Sequence, residues 1–177
     1  SQPLLCWLYL ETTKMKMQKT HVVMLLDESS SMHSYRSEVV STFNEYIEQL
    51  KKDTKRCWLS LFKFAGGGAF SNVSFQYGNR DLRLVKVFEN RKRKEAYDLT
   101  TAQYEPNGWT PLYDASGDLI QRTKERLSKD AKVLFVIHTD GQENTSTRYN
   151  MERIKNLISR MEKKRGWTFV YLGEGAE

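Results

Sequence analysis

The first strongly apolar run of the sequence, residues 22–26, breaks into Asp27, Glu28, Ser29, Ser30 and Ser31. A second apolar run, residues 133–137, leads into a second acid, Asp140, followed by Gly141. Between them, Thr110 stands in a turn-rich stretch, Gly108-Trp109-Thr110-Pro111, that opens a periodic segment. In an extended turn alternate residues point the same way, which aims Asp27, Ser29 and Ser31 at one point. Carboxylates and hydroxyls are hard oxygen donors, the type that Mg2+ or Mn2+ selects. Neutral hydroxyls leave much of such an ion's charge unspent. A site of this kind therefore attracts a carboxylate from outside, and a helix starting near Ser37 adds positive potential from its N-terminus.

The elements that must position these groups follow from periodicity. Residues 21–26 read as a strand buried on both faces, the pattern of a parallel sheet. Val39, Val40, Phe43, Tyr46, Ile47 and Leu50 then recur at three- and four-residue spacing, predicting an amphipathic helix from Ser37 to about Lys51. The run Arg56-Cys57-Trp58-Leu59-Ser60-Leu61-Phe62 and onward reads as a strand, joined through a glycine triplet at 66–68 to a second strand at 72–78, as a hairpin. The glycine loop lacks the Gly-Lys-Ser/Thr ending of a phosphate cradle, and no helical pattern follows it. Residues 81–105 are mixed, with 81–90 reading as a short helix or a strand.

Thr110 as N-cap and Pro111 at the first helical position predict a helix over 111–128, with Leu112, Ala115, Leu119, Ile120 and Leu127 on one face. Residues 133–137 form another buried strand. A helix over 149–164 with Met151, Ile154, Leu157, Ile158 and Met161 on one face precedes a last strand around 167–173. Buried strands interleaved with amphipathic helices predict an α/β domain with a largely parallel sheet, helices on both faces and an antiparallel edge from the hairpin. In such sheets the ligand crevice lies at the carboxyl ends of the strands, where Asp27 and Asp140 stand.

Composition narrows the function classes. With 39% hydrophobic and 28% charged residues among 177, the chain has the makeup of one globular domain. The 28 Lys and Arg exceed the 22 Asp and Glu by six, in short runs at 51–56, 91–94 and 162–165 that read as solvated element ends rather than a nucleic-acid stripe. Cys6 and Cys57 lack any Cys-x-x-Cys spacing, which argues against a disulfide framework or zinc site and for a reducing, cytoplasmic home. No apolar stretch approaches the ~20 residues of a membrane span. Residues 1–16 read as an extension or linker, and 17–177 as the domain, whose end five residues after Leu172 reads as truncated.

Asp27, Ser29 and Ser31 resemble the Asp-x-Ser-x-Ser motif of von Willebrand factor type A (VWA) domains. Thr110 and Asp140 match that family's two other ligand positions, in the expected order and at the expected ends of elements, over residues 21–172. The resemblance implies a Rossmann-like doubly wound fold with a metal-ion-dependent adhesion site (MIDAS), in which Asp27, Ser29, Ser31, Thr110 and Asp140 hold Mg2+ or Mn2+. It implies a non-enzymatic module that captures an Asp or Glu side chain of a partner protein.

Three other readings stand beside it. The acids and serines could merely cap helices and satisfy turn amides. A metal-dependent phosphohydrolase or phosphotransferase also places acids at strand ends. An aspartyl-phosphate enzyme, however, wants a second acid two residues after its nucleophile, where this chain has Ser29. Nucleic-acid binding through the basic runs is the third. Glu28, Asp114 and Glu143 are expected to face solvent or stand behind the ligands. His33 and His138 are expected in a loop or at a strand end rather than as ligands. Tyr35 and Trp109 are expected to form a rim for a partner, with core packing the alternative for Trp109.

Overall fold

A computed structural model describes residues 20–52, 56–67, 82–143 and 145–173. The expected extension at 1–16 and the expected strand at 72–78 lie outside the described residues. The elements run β1 (Thr20–Asp27), α1 (Arg36–Lys52), β2 (Cys57–Gly66), β3 (Leu82–Lys92), α2 (Leu112–Arg126), β4 (Lys132–Thr139), α3 (Met151–Arg165) and β5 (Thr168–Gly173). A 3-10 turn over Ser30–Tyr35 leads directly into α1.

The strands form one mixed sheet in the order β3-β2-β1-β4-β5. β1 pairs in parallel with β2 and β4, and β4 with β5, while β2 and β3 are antiparallel. All eight residues of β1 are buried, which its unbroken apolar run requires of a central strand. The chain builds one side of β1 first and the other side last. The loops that follow β1 and β4 therefore leave neighbouring strand ends for opposite sides of the sheet.

Alternation along β1 divides the core in two. Val22, Met24 and Leu26 pack with Val39, Phe43, Tyr46, Ile47 and Leu50 of α1. Val23 and Leu25 pack with Leu112, Ala115, Leu119 and Ile120 of α2 and with Leu157 and Met161 of α3. Each helix thus turns one stripe toward the sheet, and each fully buried side chain of this size contributes roughly 1.5–3 kcal/mol. α3 is bounded as its sequence suggests: the Asn150 side chain accepts from the Arg153 amide at 2.8 Å, and Gly166, at φ 64°, ends the helix.

The ambiguous stretch after residue 81 is strand β3, and its irregularity explains the ambiguity. Phe62 pairs with Lys86 but Leu61 pairs with Phe88, so Val87 is an extra residue on β3; a second shift lies between Leu59 and Leu61. Leu82 and Leu84 face the α2 side, whereas Phe88 faces the α1 side. A bulge that adds one residue reverses the facing of everything after it, which erases the period-2 signal.

Gly117 in α2 is a packing requirement. A Cβ there would lie 2.5 Å from ring atoms of Tyr149, which rests on the helix at this point. Gly117→Ala is expected to lower stability by about 1–3 kcal/mol, the usual cost of overpacking. The loss should shrink in a Tyr149→Ala background, and urea denaturation of the four proteins in the cycle measures both numbers.

Candidate metal centre

Asp27 ends β1 with a carboxylate that has no exposed surface. One oxygen accepts the Ser29 amide at 2.8 Å, and the other accepts the Thr139 hydroxyl, from the end of β4, at 2.7 Å. Burial pushes the Asp27 carboxyl above its ordinary range. The hydroxyl and amide of Ser29 and the hydroxyl of Thr139 pull the other way, and the charge of Asp140 adds to the rise. Asp140 is the smallest of these influences and stands just past the end of β4, the strand that pairs with β1. The Ser29 and Ser31 hydroxyl oxygens are 3.2 Å apart and hydrogen-bonded, with Ser29 buried and Ser31 exposed.

The segment carrying Thr110 runs alongside this turn. The Tyr104 hydroxyl donates to the Asp27 carbonyl, and the Asn107 amide donates to the Glu28 carbonyl at 2.8 Å. Ser30 and Gly108 exchange two bonds: the Ser30 amide donates to the Gly108 carbonyl at 3.0 Å, and the Gly108 amide to the Ser30 hydroxyl at 2.9 Å. Trp109 and Gly66 pair backbone to backbone at 2.6 and 2.8 Å, which fixes the segment to the end of β2. Gly108 has φ 89°, and a Cβ there would lie 2.1 Å from the Gly66 carbonyl oxygen, so only glycine fits. These contacts deliver Thr110, 2% exposed, beside the first loop.

Thr110 does not cap α2. The helix starts at Leu112 with Pro111 in the cap position and no side-chain cap. The cap comes from far along the chain: Glu143 accepts the Tyr113 amide and the Ser146 hydroxyl accepts the Asp114 amide, both at 3.0 Å. Glu143 also accepts from the Thr145 and Ser146 amides at 2.9 and 2.6 Å, so it is a knot within the third loop rather than a solvated acid.

Two more acids turn from solvent to partners behind the expected ligands, one of the two placements expected of them. Glu28 is 3% exposed, because its side chain, alternating with Asp27 and Ser29, turns away from them toward β2 and β3 and meets cations there. Lys63 lies at 2.8 Å and Arg83 at 3.4 Å, and the carboxylate also accepts the Glu105 amide at 3.0 Å. Lys63 donates to the Gln103 carbonyl as well, so the ion pair latches the Thr110 segment to the first loop. Asp114 has no exposed surface and accepts the amides of Thr147, Arg148 and Tyr149 at 2.9, 3.0 and 2.8 Å. Asp118 binds the Arg148 guanidinium through both oxygens, at 2.8 and 2.6 Å, and this pairing raises the arginine's proton affinity further.

Asp140 is half-buried, and one of its oxygens accepts the Gln142 amide at 3.2 Å. Thr139, unremarked in the sequence, is the contact that joins the first loop to the third, since its hydroxyl also accepts the Gly141 amide at 3.1 Å. His33 is exposed in the 3-10 turn and His138 is buried in β4. Tyr35 packs partly against the α1-side core, while Trp109 is 60% exposed.

No family model and no curated protein sequence matches this chain. Among solved structures it is similar to the three N-terminal domains of the type V pili tip protein Mfa5 from Porphyromonas gingivalis. That likeness has 14% identity and a TM-score of 0.45, over 75% of this chain and 22% of that one. It is also similar to the adhesive tip pilin GBS104 from Group B Streptococcus agalactiae, at 15% identity and TM-score 0.38, over 82% of this chain and 53% of that one. The pilus adhesin RrgA from Streptococcus pneumoniae follows at 12% identity and TM-score 0.32, over 82% and 24%. The chain spans about half or less of each of these proteins.

Among the described residues no group of three or more His, Cys, Asp or Glu side chains could hold a metal ion. The side chains at the ends of β1 and β4 are two carboxylates, Asp27 and Asp140, and the hydroxyls of Ser29, Ser31 and Thr139. Thr139→Val should lower stability by about 1–3 kcal/mol, because it strips a buried carboxylate oxygen of its donor. A change within ~0.3 kcal/mol in urea denaturation would mean that the Thr139 bond does not hold Asp27.

Proposed function

We propose that this chain is a divalent-cation-dependent protein-binding module of the VWA type. In this reading Asp27, Ser29, Ser31, Thr110 and Asp140 form a MIDAS that holds Mg2+ or Mn2+, and the ion accepts an Asp or Glu side chain of a partner protein. The observation that carries the reading is the placement of Asp27 at the end of β1 and of Asp140 just past the end of the adjacent β4, with the Ser29 and Ser31 hydroxyls of the Asp-x-Ser-x-Ser turn 3.2 Å apart. A cation beside Asp27 would favour the charged form that burial disfavours.

The donor set fits a small hard ion. Ligand oxygens at ~2.1 Å on adjacent octahedral positions are about 3.0 Å apart, close to the 3.2 Å between the Ser29 and Ser31 hydroxyls. The Asp27 carboxylate, held by the Ser29 amide and the Thr139 hydroxyl, has four lone-pair positions for hydrogen bonds and an ion together. When bound, the ion supplies positive charge and an open position for an outside carboxylate. The protein's own groups do the rest: Thr139 orients Asp27, the Ser30 and Gly108 bonds set the spacing of the two loops, and Trp109 offers a partner an exposed indole at the rim.

The strand order supports a Rossmann-like doubly wound arrangement, because the order turns back between β1 and β4, where ligands of such sheets bind. The module is read as non-enzymatic. Full burial of Asp27, with both oxygens engaged, weighs against an aspartyl nucleophile. Among the described residues no helix is long and apolar enough to cross a membrane. The cytoplasmic setting remains part of the proposal and rests on cysteine usage, two cysteines without Cys-x-x-Cys spacing.

Calorimetric titration of Mg2+ and of Mn2+ into the chain should show one site. Binding should vanish in Asp27→Ala and Thr110→Ala, with both variants still folded by circular dichroism. At a hundredfold excess over Kd the ion should stabilise the wild type by about 2.7 kcal/mol. Absence of heat and of thermal stabilisation in folded wild type would overturn the reading.

A further inference from the structure

The end of the sheet opposite the proposed metal centre gathers charge that the sequence scatters. β1, β2, β4 and β5 begin there and the antiparallel β3 finishes there: Thr20 stands beside Cys57 and Lys132, Trp58 beside Lys92, and Leu134 beside Thr168. α1, α2 and α3 each lead into one of these strand starts, so their last turns lie at the same end. The basic runs at 51–56, 91–94 and 162–165 belong to separate elements, yet the topology delivers all three to one place.

Side chains join the runs to their surroundings. The Arg93 guanidinium donates to the Leu50 carbonyl at 3.3 Å, which ties the 91–94 run to the end of α1. The Arg165 guanidinium donates to the Leu127 and Ser128 carbonyls at 3.3 and 3.1 Å, which ties the third run to the turn that carries Lys129. Lys132 places its ammonium over Gly166, where a Cβ would lie 3.0 Å from the nitrogen. Between these groups Arg56 immediately precedes β2. Five strands about 4.8 Å apart set their ends within roughly 20 Å of one another.

The charge at this end does not cancel. Residues 48–52, 56, 89–98, 124–132 and 162–165 hold fourteen Lys and Arg against seven Asp and Glu, a surplus of seven in a chain of net charge +6. Of those acids, Glu48 meets Lys51 at 3.1 Å, and Glu89 is held by Arg122 and Arg126. Lys52, Arg56, Lys92, Lys94, Lys129 and Lys164 are exposed and make no ion pair among the described residues. Cations at helix ends offset the macrodipole, but each C-terminus carries only about half a negative charge. Arg56, Lys92, Lys94 and Lys129 lie outside the three α-helices altogether. Charges on neighbouring strand ends fall within the ~10 Å screening length of 0.1 M salt, so they act on a partner together.

The chemistry of this end selects among polyanions. Protein interfaces form around apolar and aromatic cores and use little lysine, whereas nucleic-acid interfaces are polar and strongly positive. The large apolar side chains exposed among the described residues are Tyr97, Trp109, Met151 and Tyr171, and only Tyr97 belongs to the basic end, with Arg91 over its ring at 5.7 Å. Such an end has little to bury in a bilayer, where interfacial binding draws on apolar area as well as charge.

We propose that this end of the molecule binds nucleic acid through the phosphate backbone, without reading base sequence and without need of the metal ion. Arg56, Lys92, Lys94, Lys129 and Lys164 supply the charge, and the fixed backbone around Arg93 and Arg165 holds them on one surface.

The test is fluorescence anisotropy of the full chain with a fluorescein-labelled DNA duplex of about 20 base pairs, in EDTA. Binding should saturate at about 50 mM salt and weaken roughly a hundredfold by about 200 mM, the slope of about four neutralised phosphates. Lys94→Glu/Lys164→Glu should weaken it about tenfold or more and flatten that slope. Lys155→Glu/Arg160→Glu, which makes the same change in net charge at exposed positions in the middle of α3, should weaken it less than about threefold. No saturable binding, a slope near zero, or equal losses in the two folded double variants overturns the proposal. So does tighter binding to vesicles of phosphatidylcholine and phosphatidylserine than to the duplex.

Discussion

A carboxylate buried to zero exposure at the end of the central strand is the constraint on which this molecule's upper edge is built. Asp27 cannot be left in a dry site without donors, because an unpaired buried charge costs several kcal/mol. The chain meets the requirement from two directions. The turn that follows supplies the Ser29 amide and β4 supplies the Thr139 hydroxyl, while the Tyr104 hydroxyl ties its own segment to the backbone carbonyl of the same residue. Satisfying this one residue thus draws the segments that bear Thr110 and Asp140 toward the first loop.

The neighbouring residue extends the same logic outward. Glu28 points the other way and is neutralised by Lys63 and Arg83, which ties β2 and β3 to the first loop. On the far side, Asp114 and Glu143 use their carboxylates on backbone amides, shaping the third loop against the start of α2. Three acids within a few residues of the proposed ligands are thus committed to distinct partners of their own.

The sequence made some of this legible and hid the rest for physical reasons. Strands β1 and β4 and the three helices announce themselves because their periodicity reflects burial over their whole length. β3 did not, since Val87 breaks its alternation and the information about facing lies in the pairing with β2. The proposed ligands could be picked out because Asp27, Ser29 and Ser31 share a local spacing, whereas Thr139 could not: a hydroxyl at a strand end has no signature until β4 lies beside β1. For Glu28 the sequence left solvent and a place behind the ligands both open, because its cations are 35 and 55 residues away. The cap of α2 was misassigned for the same reason, as Glu143 does from a distance what Thr110 seemed placed to do locally.

The irregular strand has a consequence for how copies of the chain meet one another. Among the described residues β3 lies at the margin of the sheet, where a straight ladder of amides and carbonyls would invite a further strand. Two register shifts within its length bend and twist that margin, and Arg83, Lys86, Arg91 and Lys92 space positive charge along it. An approaching identical edge would meet mismatched hydrogen-bonding groups and like charge together. The same bulges that obscure β3 in the sequence thus make this margin a poor template for another strand.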